Sequence, residues 1–216
     1  LSTFTDAVIA NNRHMMQMLA TNRQKLPVDV IVDDLSESEF QDLLQDITVE
    51  SQRFLEATAL ANNVAFRGML EHGLFAFTRK LAILLNAERA SLFLVEGDEL
   101  VLKVAENLEE MGEIRIPLGS GIAGAVAQSG DTIRIEDAYA DSRFNRDVDR
   151  QTGFTTRSIL SLPLKNMDGK VFGVAQLLNR KDGQPFDRHD EQRFASFMQS
   201  IGVIFQTQLD MKERRH

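Results

Sequence analysis

The sequence predicts an α/β (α+β) fold: a central, mainly antiparallel sheet flanked by helices and preceded by a long helical N-terminal segment. Three observations carry this. Residues 1–86 hold only two glycines (Gly68, Gly73) and one proline (Pro27), whereas residues 97–130 hold six glycines. Few breakers among good helix formers favour helix, and clustered glycines favour turns. From residue 90 onward, short apolar or alternating runs bounded by turn residues follow one another, which is the signature of strands joined by tight turns. Apolar residues at helical spacing then return from Phe194 to the C-terminal end.

The elements follow in order. Residues 4–24 read as a helix with Val8, Met15, Met18 and Leu19 on one side, ended at Lys25-Leu26-Pro27 because proline disfavours helical geometry in the residue before it. A second helix starts at Ser36, where Ser36-Glu37-Ser38-Glu39 forms a capping box. Its stripe is Phe40, Leu43, Leu44, Ile47, Phe54, Leu55 and Leu60, and it resumes as Leu70, Leu74, Phe77, Leu81, Leu84 and Leu85. The pattern is compatible with one nearly unbroken helix over 36–86, with Gly68 and Gly73 the expected interruptions. A stripe without a strand partner needs burial, as a dimer seam or as the face of an intramolecular bundle, and a homodimer through these helices is expected.

Ala90–Val95 and Leu100–Val104 flank a Gly97-Asp98 turn and read as a hairpin. Ile114–Ile116 is a brief strand. Gly119–Gly130 reads as a glycine-rich entry into a short helix stopped by Gly130. Thr132–Ile135 is a strand, and residues 136–157 are polar loop or short helix. Ser158–Leu164 and Val171–Asn179 pair through an Asn166-Met167-Asp168-Gly169 turn. Asp187 caps the last helix, whose stripe is Phe194, Phe197, Met198, Ile201, Ile204 and Phe205. The first and last helices are expected on one face of the sheet.

Composition excludes several classes of function. Lys plus Arg is 24 against 32 Asp plus Glu, a net charge of −8, which opposes nucleic-acid binding. Cysteine is absent, removing disulfides, thiolate metal sites and thiol nucleophiles. No apolar run reaches the roughly 18 residues of a membrane span, so no membrane contact is expected and a cytoplasmic location is. The four histidines are scattered, and no nucleophile elbow or phosphate loop is present. The acidic set Glu136, Asp137, Asp141, Asp147 and Asp149 does not match a calcium loop, and a solvated acidic loop explains it. No cofactor or metal is therefore expected, nor an enzyme. The start at Leu1 reads as that of a fragment.

Two polar features remain. The glycine-rich turn at 119–124 brings backbone amides and a helix dipole to one place, which suits an anion. The stretch 149–157 offers the hydroxyls of Thr152, Thr155 and Thr156. Each is also what an ordinary turn or polar loop would contain.

Residues 70–210 resemble a GAF domain, the small-molecule-binding module of cyclic-nucleotide phosphodiesterases and bacterial adenylyl cyclases. The resemblance lies in Ala87–Leu94, Gly121-Ile122-Ala123-Gly124 with Ser129-Gly130, Asp137-Ala138-Tyr139, Phe144-Asn145, Asp149–Leu160 and Gly173–Asn179. A further pattern of the cyclic-nucleotide-binding members reads here as Asn179-Arg180-Lys181, Phe186 and Asp190-Glu191. Arg180 intervenes between the expected Asn and Lys, so Asp190 is expected to pair with Arg180 or Lys181 in a structural clip.

The resemblance implies three segments: a helical dimerisation and signalling segment over 1–69, the GAF domain over 70–210 and a tail over 211–216. It implies a ligand, cAMP or cGMP, held by Ser91, Glu106, Ala123, Asn145, Asp149, Thr152, Thr156 and Gln176. Ala105 stands where relatives carry a stacking Phe. Gln176 stands where some cGMP binders carry Glu, which favours adenine, whereas the Glu106 carboxylate suits guanine. The balance leans to cAMP with the base open. The implied role is a sensor that relays occupancy to a covalently linked output domain. The alternative is a ligand-free GAF domain acting as a dimerisation or interaction module. Sulfoxide reduction and covalent bilin attachment, known in other GAF proteins, both need a cysteine.

Overall fold

A computed structural model describes residue 32 and residues 35–56, 64–105, 114–166 and 168–213. The expected helix over 4–24 lies outside the described residues. Helix α1 spans Glu37–Glu56 and α2 spans Val64–Leu84. Strands β1 (Ala87–Glu96), β2 (Glu99–Val104) and β3 (Arg115–Pro117) follow, then α3 (Gly121–Ser129) and β4 (Ile133–Ile135). A 3-10 turn at Ala138–Ala140 and helix α4 (Arg146–Thr152) precede β5 (Ile159–Lys165), β6 (Val171–Arg180) and α5 (Arg188–Glu213).

The six strands form one sheet in the order β3-β2-β1-β6-β5-β4, antiparallel at every pairing. Both faces are covered, which is why β5 and β6 read as nearly continuous apolar runs. Leu92, Leu94, Leu160, Leu162, Ala175 and Leu177 face one core, shared with Leu74, Phe77 and Leu81 of α2 and Phe194, Phe197 and Ile201 of α5. Phe93, Leu102 and Val174 face a second core closed by Ala123, Val126 and Ala127 of α3. The first and last helices thus share one face, as the apolar stripes predict.

The N-terminal capping box forms as read: the Ser36 amide donates to Glu39 Oε2 at 2.9 Å, and the Glu39 amide to Ser36 Oγ at 3.4 Å. An unbroken helix over 36–86 does not form. Phe40 and Phe77 would lie about 55 Å apart in one continuous helix, yet their ring centroids are 5.8 Å apart. The chain therefore doubles back between α1 and α2. Gly68 and Gly73 are not the interruptions, since both lie inside α2. Phe40 also meets Phe197 of α5 at 5.7 Å. Arg193 of α5 donates to both carboxylate oxygens of Glu37 and to the Leu84 carbonyl, tying the three helices together.

This packing answers the burial need that pointed to a dimer. Phe40 and Leu44 are fully buried, and Leu43 and Ile47 pack beside them, against the chain's own α2 and α5. The first half of the stripe has its partner within one molecule. The side chains of Phe54 and Leu55 lie outside the described residues, as does Leu60.

Candidate functional site

A cavity of about 160 Å³ lies on the α3 face of the sheet. Its floor is built by strand register. Side chains directly opposite one another in a pleated sheet share a face. Arg89, Leu178 and Ile159 form one row across β1, β6 and β5, and Ser91, Gln176 and Ser161 form the next. Ser91 and Gln176 line the cavity. Ser161 Oγ is fully buried and has no hydrogen-bond partner among the described residues.

The N-terminus of α3 supplies one wall through Ser120, Gly121, Ile122 and Ala123. Gly119 and Gly121 take positive φ (82° and 64°), conformations that favour glycine and let the chain turn sharply into the helix. Gly124 must lack a side chain, because a Cβ there would sit 2.7 Å from the Pro117 carbonyl oxygen. The Gly119 amide donates to the Gly124 carbonyl (2.9 Å) and the Ser120 amide to Pro117 (3.0 Å), which locks the turn. The first amides of the helix itself have no acceptor within it. Gly130 ends the helix in the left-handed region, as its place in the sequence predicts.

The opposite wall is α4 and the strand of chain after it. Asn145 caps α4, its Oδ1 accepting from the Asp147 amide at 3.0 Å. Asp149 is buried and accepts three bonds: from the Thr156 amide (2.6 Å), the Thr156 hydroxyl (2.7 Å) and the Tyr139 hydroxyl (3.2 Å). Desolvation, and then this hydrogen bond to a carboxylate, raise the Tyr139 pKa above its ordinary 10, so the phenol stays a donor. Thr156 was expected to offer its hydroxyl to an anion. Its proton goes instead to Asp149, because a carboxylate within reach is the strongest acceptor present. The rest of the wall is apolar: Ile114, Ile116, Phe144, Val148 and Phe154.

Of the eight residues expected to hold a ligand, Ser91, Ala123, Asn145, Asp149, Thr156 and Gln176 line this one cavity. Thr152 belongs to α4, but its side chain lies outside the described residues, as does Glu106 entirely. Ala105, at the position to which the resemblance assigned base stacking, also lines the cavity. Arg89 and Phe154 line it too, unassigned in the sequence reading, with the guanidinium carbon 4.0 Å from the Phe154 ring centroid. The strand alternation from Ser91 placed Arg89 on the same face and was a usable signal. For Phe154 the signal was an apolar ring in an otherwise polar loop.

The second residue set lies away from the cavity and fastens its wall. Asn179 is fully buried at φ 54°. Its Oδ1 accepts from the Arg157 and Ser158 amides (2.6 and 3.2 Å), and its Nδ2 donates to Glu88 (2.9 Å) and the Thr155 carbonyl (2.8 Å). All four bonds reach β1 or the chain beside Thr156. Arg180, not Lys181, contacts Asp190, at 3.0 Å. Asp190 also accepts from the Asp187 amide and returns its own amide to Asp187 Oδ1, both at 2.9 Å, completing the α5 cap. Phe186 is buried in the core, Glu191 pairs with Arg134 of β4 (3.1 Å), and the Lys181 amide donates to the Asn86 carbonyl.

The acidic loop is used internally: Asp137 caps the 3-10 turn, Asp141 pairs with Arg143 (2.7 Å) and Asp147 with Arg150 (2.8 Å). Among the described residues no three His, Asp or Glu side chains gather as a metal site. No described helix is long and apolar enough to cross a membrane.

The GAF domain profile matches residues 70–205, the span that holds the whole sheet and cavity. The chain belongs to the GAF domain family. The relatives of this GAF domain include dual 3′,5′-cyclic-AMP and -GMP phosphodiesterase 11 of Drosophila melanogaster, 39% identical over 142 residues. Phosphodiesterase 11A of Takifugu rubripes, a dual enzyme too, is 36% identical over 167 residues, 71% of this chain. The cGMP-specific 3′,5′-cyclic phosphodiesterase of Drosophila melanogaster is 34% identical over 191 residues, 80% of this chain. The matches span only 10%, 18% and 16% of these relatives' own lengths. Among solved structures, the GAF domain of a Coxiella burnetii phosphoenolpyruvate-protein phosphotransferase superposes with a TM-score of 0.57 at 18% identity, covering 79% of this chain and 95% of its own. Free methionine-R-sulfoxide reductase of Neisseria meningitidis superposes with 0.54 at 19% identity, covering 82% and 95%. At those identities the likeness is one of fold.

Proposed function

We propose that this GAF domain is a regulatory sensor that binds a cyclic purine nucleotide, without turning it over, in the cavity between the sheet, α3 and α4. The observation that carries the reading is the convergence of Ser91, Gln176, Asn145, Asp149, Thr156 and the α3 N-terminus on one mostly apolar cavity. An apolar cavity with a few convergent polar groups is the ordinary form of a small-molecule site. Kinship to dual and cGMP-specific phosphodiesterases directs the choice of ligand. The Ser91–Gln176 row offers donors and acceptors for a purine edge. The helix start suits the single charge of a cyclic phosphate.

An amide at Gln176, unlike a carboxylate, does not demand a guanine N–H donor, which favours cAMP, whereas the Glu106 carboxylate favours cGMP; the balance leans to cAMP with the base open. Occupancy reaches an output domain only if ligand binds one of two states better than the other. In this reading α4 and residues 153–158 are the moving part, and the N- and C-terminal helices carry the relay. The alternative, a ligand-free interaction module, draws on the Asp149–Thr156 pair, whose groups already satisfy one another. Denaturing the purified chain and analysing the released small molecules by mass spectrometry separates the two, alongside melting curves with cAMP, cGMP and 5′-AMP. A cyclic nucleotide that copurifies, or raises the melting temperature where 5′-AMP does not, supports the sensor. No shift with either supports the module.

A further inference from the structure

We propose that Arg89 is the anion-recognising side chain of this cavity, oriented for that role by Phe154. The inference rests on the reading of the cavity as a nucleotide site and adds the residue that reads ligand charge.

Register puts Arg89 on the cavity floor, two residues from Ser91 on the same face of β1 and directly opposite Leu178. Its guanidinium lies over the Phe154 ring at 4.0 Å. Such stacking holds the planar head in place while leaving its N–H donors free at the edge. Most other arginines of the surrounding elements hold carboxylates: Arg134 with Glu191, Arg143 with Asp141, Arg150 with Asp147, Arg157 with Glu88 and Arg180 with Asp190. Arg146 of α4 donates to the Tyr139 carbonyl and does not line the cavity. Arg89 forms no ion pair among the described residues, although the chain carries 32 acidic residues against 24 basic ones.

The cavity's charge balance points the same way. Among the described residues that line it, Asp149 is the other ionisable group, and its oxygens already accept from Thr156 and Tyr139. What remains available is a guanidinium and the positive end of α3, set among Phe93, Ile122, Phe144 and Leu178. Low-polarity walls strengthen a charge–charge contact. The class of ligand that fits is a largely apolar or aromatic body bearing one negative group, as a nucleoside phosphodiester does.

The test is calorimetry on the full chain and on Arg89→Gln, Arg89→Lys and Phe154→Leu, with cAMP, cGMP, 5′-AMP and 5′-GMP against the neutral nucleosides adenosine and guanosine. Melting curves of the unliganded proteins establish that each variant folds, and Arg89→Lys keeps the charge if Arg89→Gln does not. Loss of a charged hydrogen bond predicts about tenfold or greater weakening of the anionic ligands in Arg89→Gln. Nucleoside affinity stays unchanged, Arg89→Lys recovers part of the loss, and Phe154→Leu lies between. Equal loss for nucleotides and nucleosides, or no loss, overturns the proposal. If the cyclic nucleotides fail but a 5′-monophosphate binds the parent chain and not Arg89→Gln, the cyclic-nucleotide reading falls and this one stands. If no anion binds the folded parent chain, this one falls.

Discussion

Asn179 supports the cavity wall without touching the cavity. Its amide satisfies two backbone donors and one backbone acceptor beside Thr156 and reaches across to Glu88. Asn179→Ala leaves the Arg157 and Ser158 amides without an acceptor, at about 1–3 kcal/mol for each buried group left unpaired. Asn179→Gly relieves the positive φ yet loses the same bonds, so it should be destabilised by a similar amount in urea unfolding. A glycine variant as stable as the parent would assign Asn179 to backbone conformation alone. Glu88 supplies a pH readout of the same cluster. Burial raises its pKa, but hydrogen bonds from Asn179 and Arg157 outweigh that and hold it below 4.5. A depressed carboxylate contributes stability above its unfolded pKa and loses it as pH falls through the folded value. Glu88→Gln should therefore flatten the loss of stability below pH of about 4.5 in acid unfolding curves. Parallel curves would contradict this.

At the scale of elements, α3 is defined by what it lacks. The helix approaches the end of β3 so closely that a Cβ on Gly124 would overlap the Pro117 oxygen. Gly124→Ala should cost about 1–3 kcal/mol through forced backbone shifts, and it should displace the cavity wall at Ala123. A variant with unchanged melting temperature would show that the approach is loose. Local chemistry made most elements legible: the Ser36 box, the Gly97 and Asn166 turns, the Gly130 stop and the Asp187 cap each act within a few residues. The break between α1 and α2 was not legible, because apolar periodicity is the same whether a stripe packs on a neighbouring helix or on another chain. The floor of the site was readable from alternation around Ser91 and Gln176. The engagement of Thr156 by Asp149 was not, since a hydroxyl's partner depends on how α4 folds over it. Arg89 and Phe154 meet across a separation of 65 positions, which no local pattern encodes.

For the molecule as a whole, α1 is part of the core that supports the sheet. Phe40 is fully buried between Phe77 and Phe197. Phe40→Ala should cost about 3–5 kcal/mol, the usual range for removing a buried aromatic ring. Deleting residues 1–66 should destabilise the 70–210 region by exposing Phe77 and Phe197, which differential scanning calorimetry would detect. An unchanged transition would make α1 a separate attachment. The central claim is that the cavity takes a cyclic purine nucleotide. Titration calorimetry of the nucleotide-stripped chain with cAMP and cGMP tests it most directly. The account predicts saturable heat at one site per chain for at least one of them, with cAMP the tighter. Absence of heat with both at millimolar ligand, from a chain shown to be folded, would contradict it.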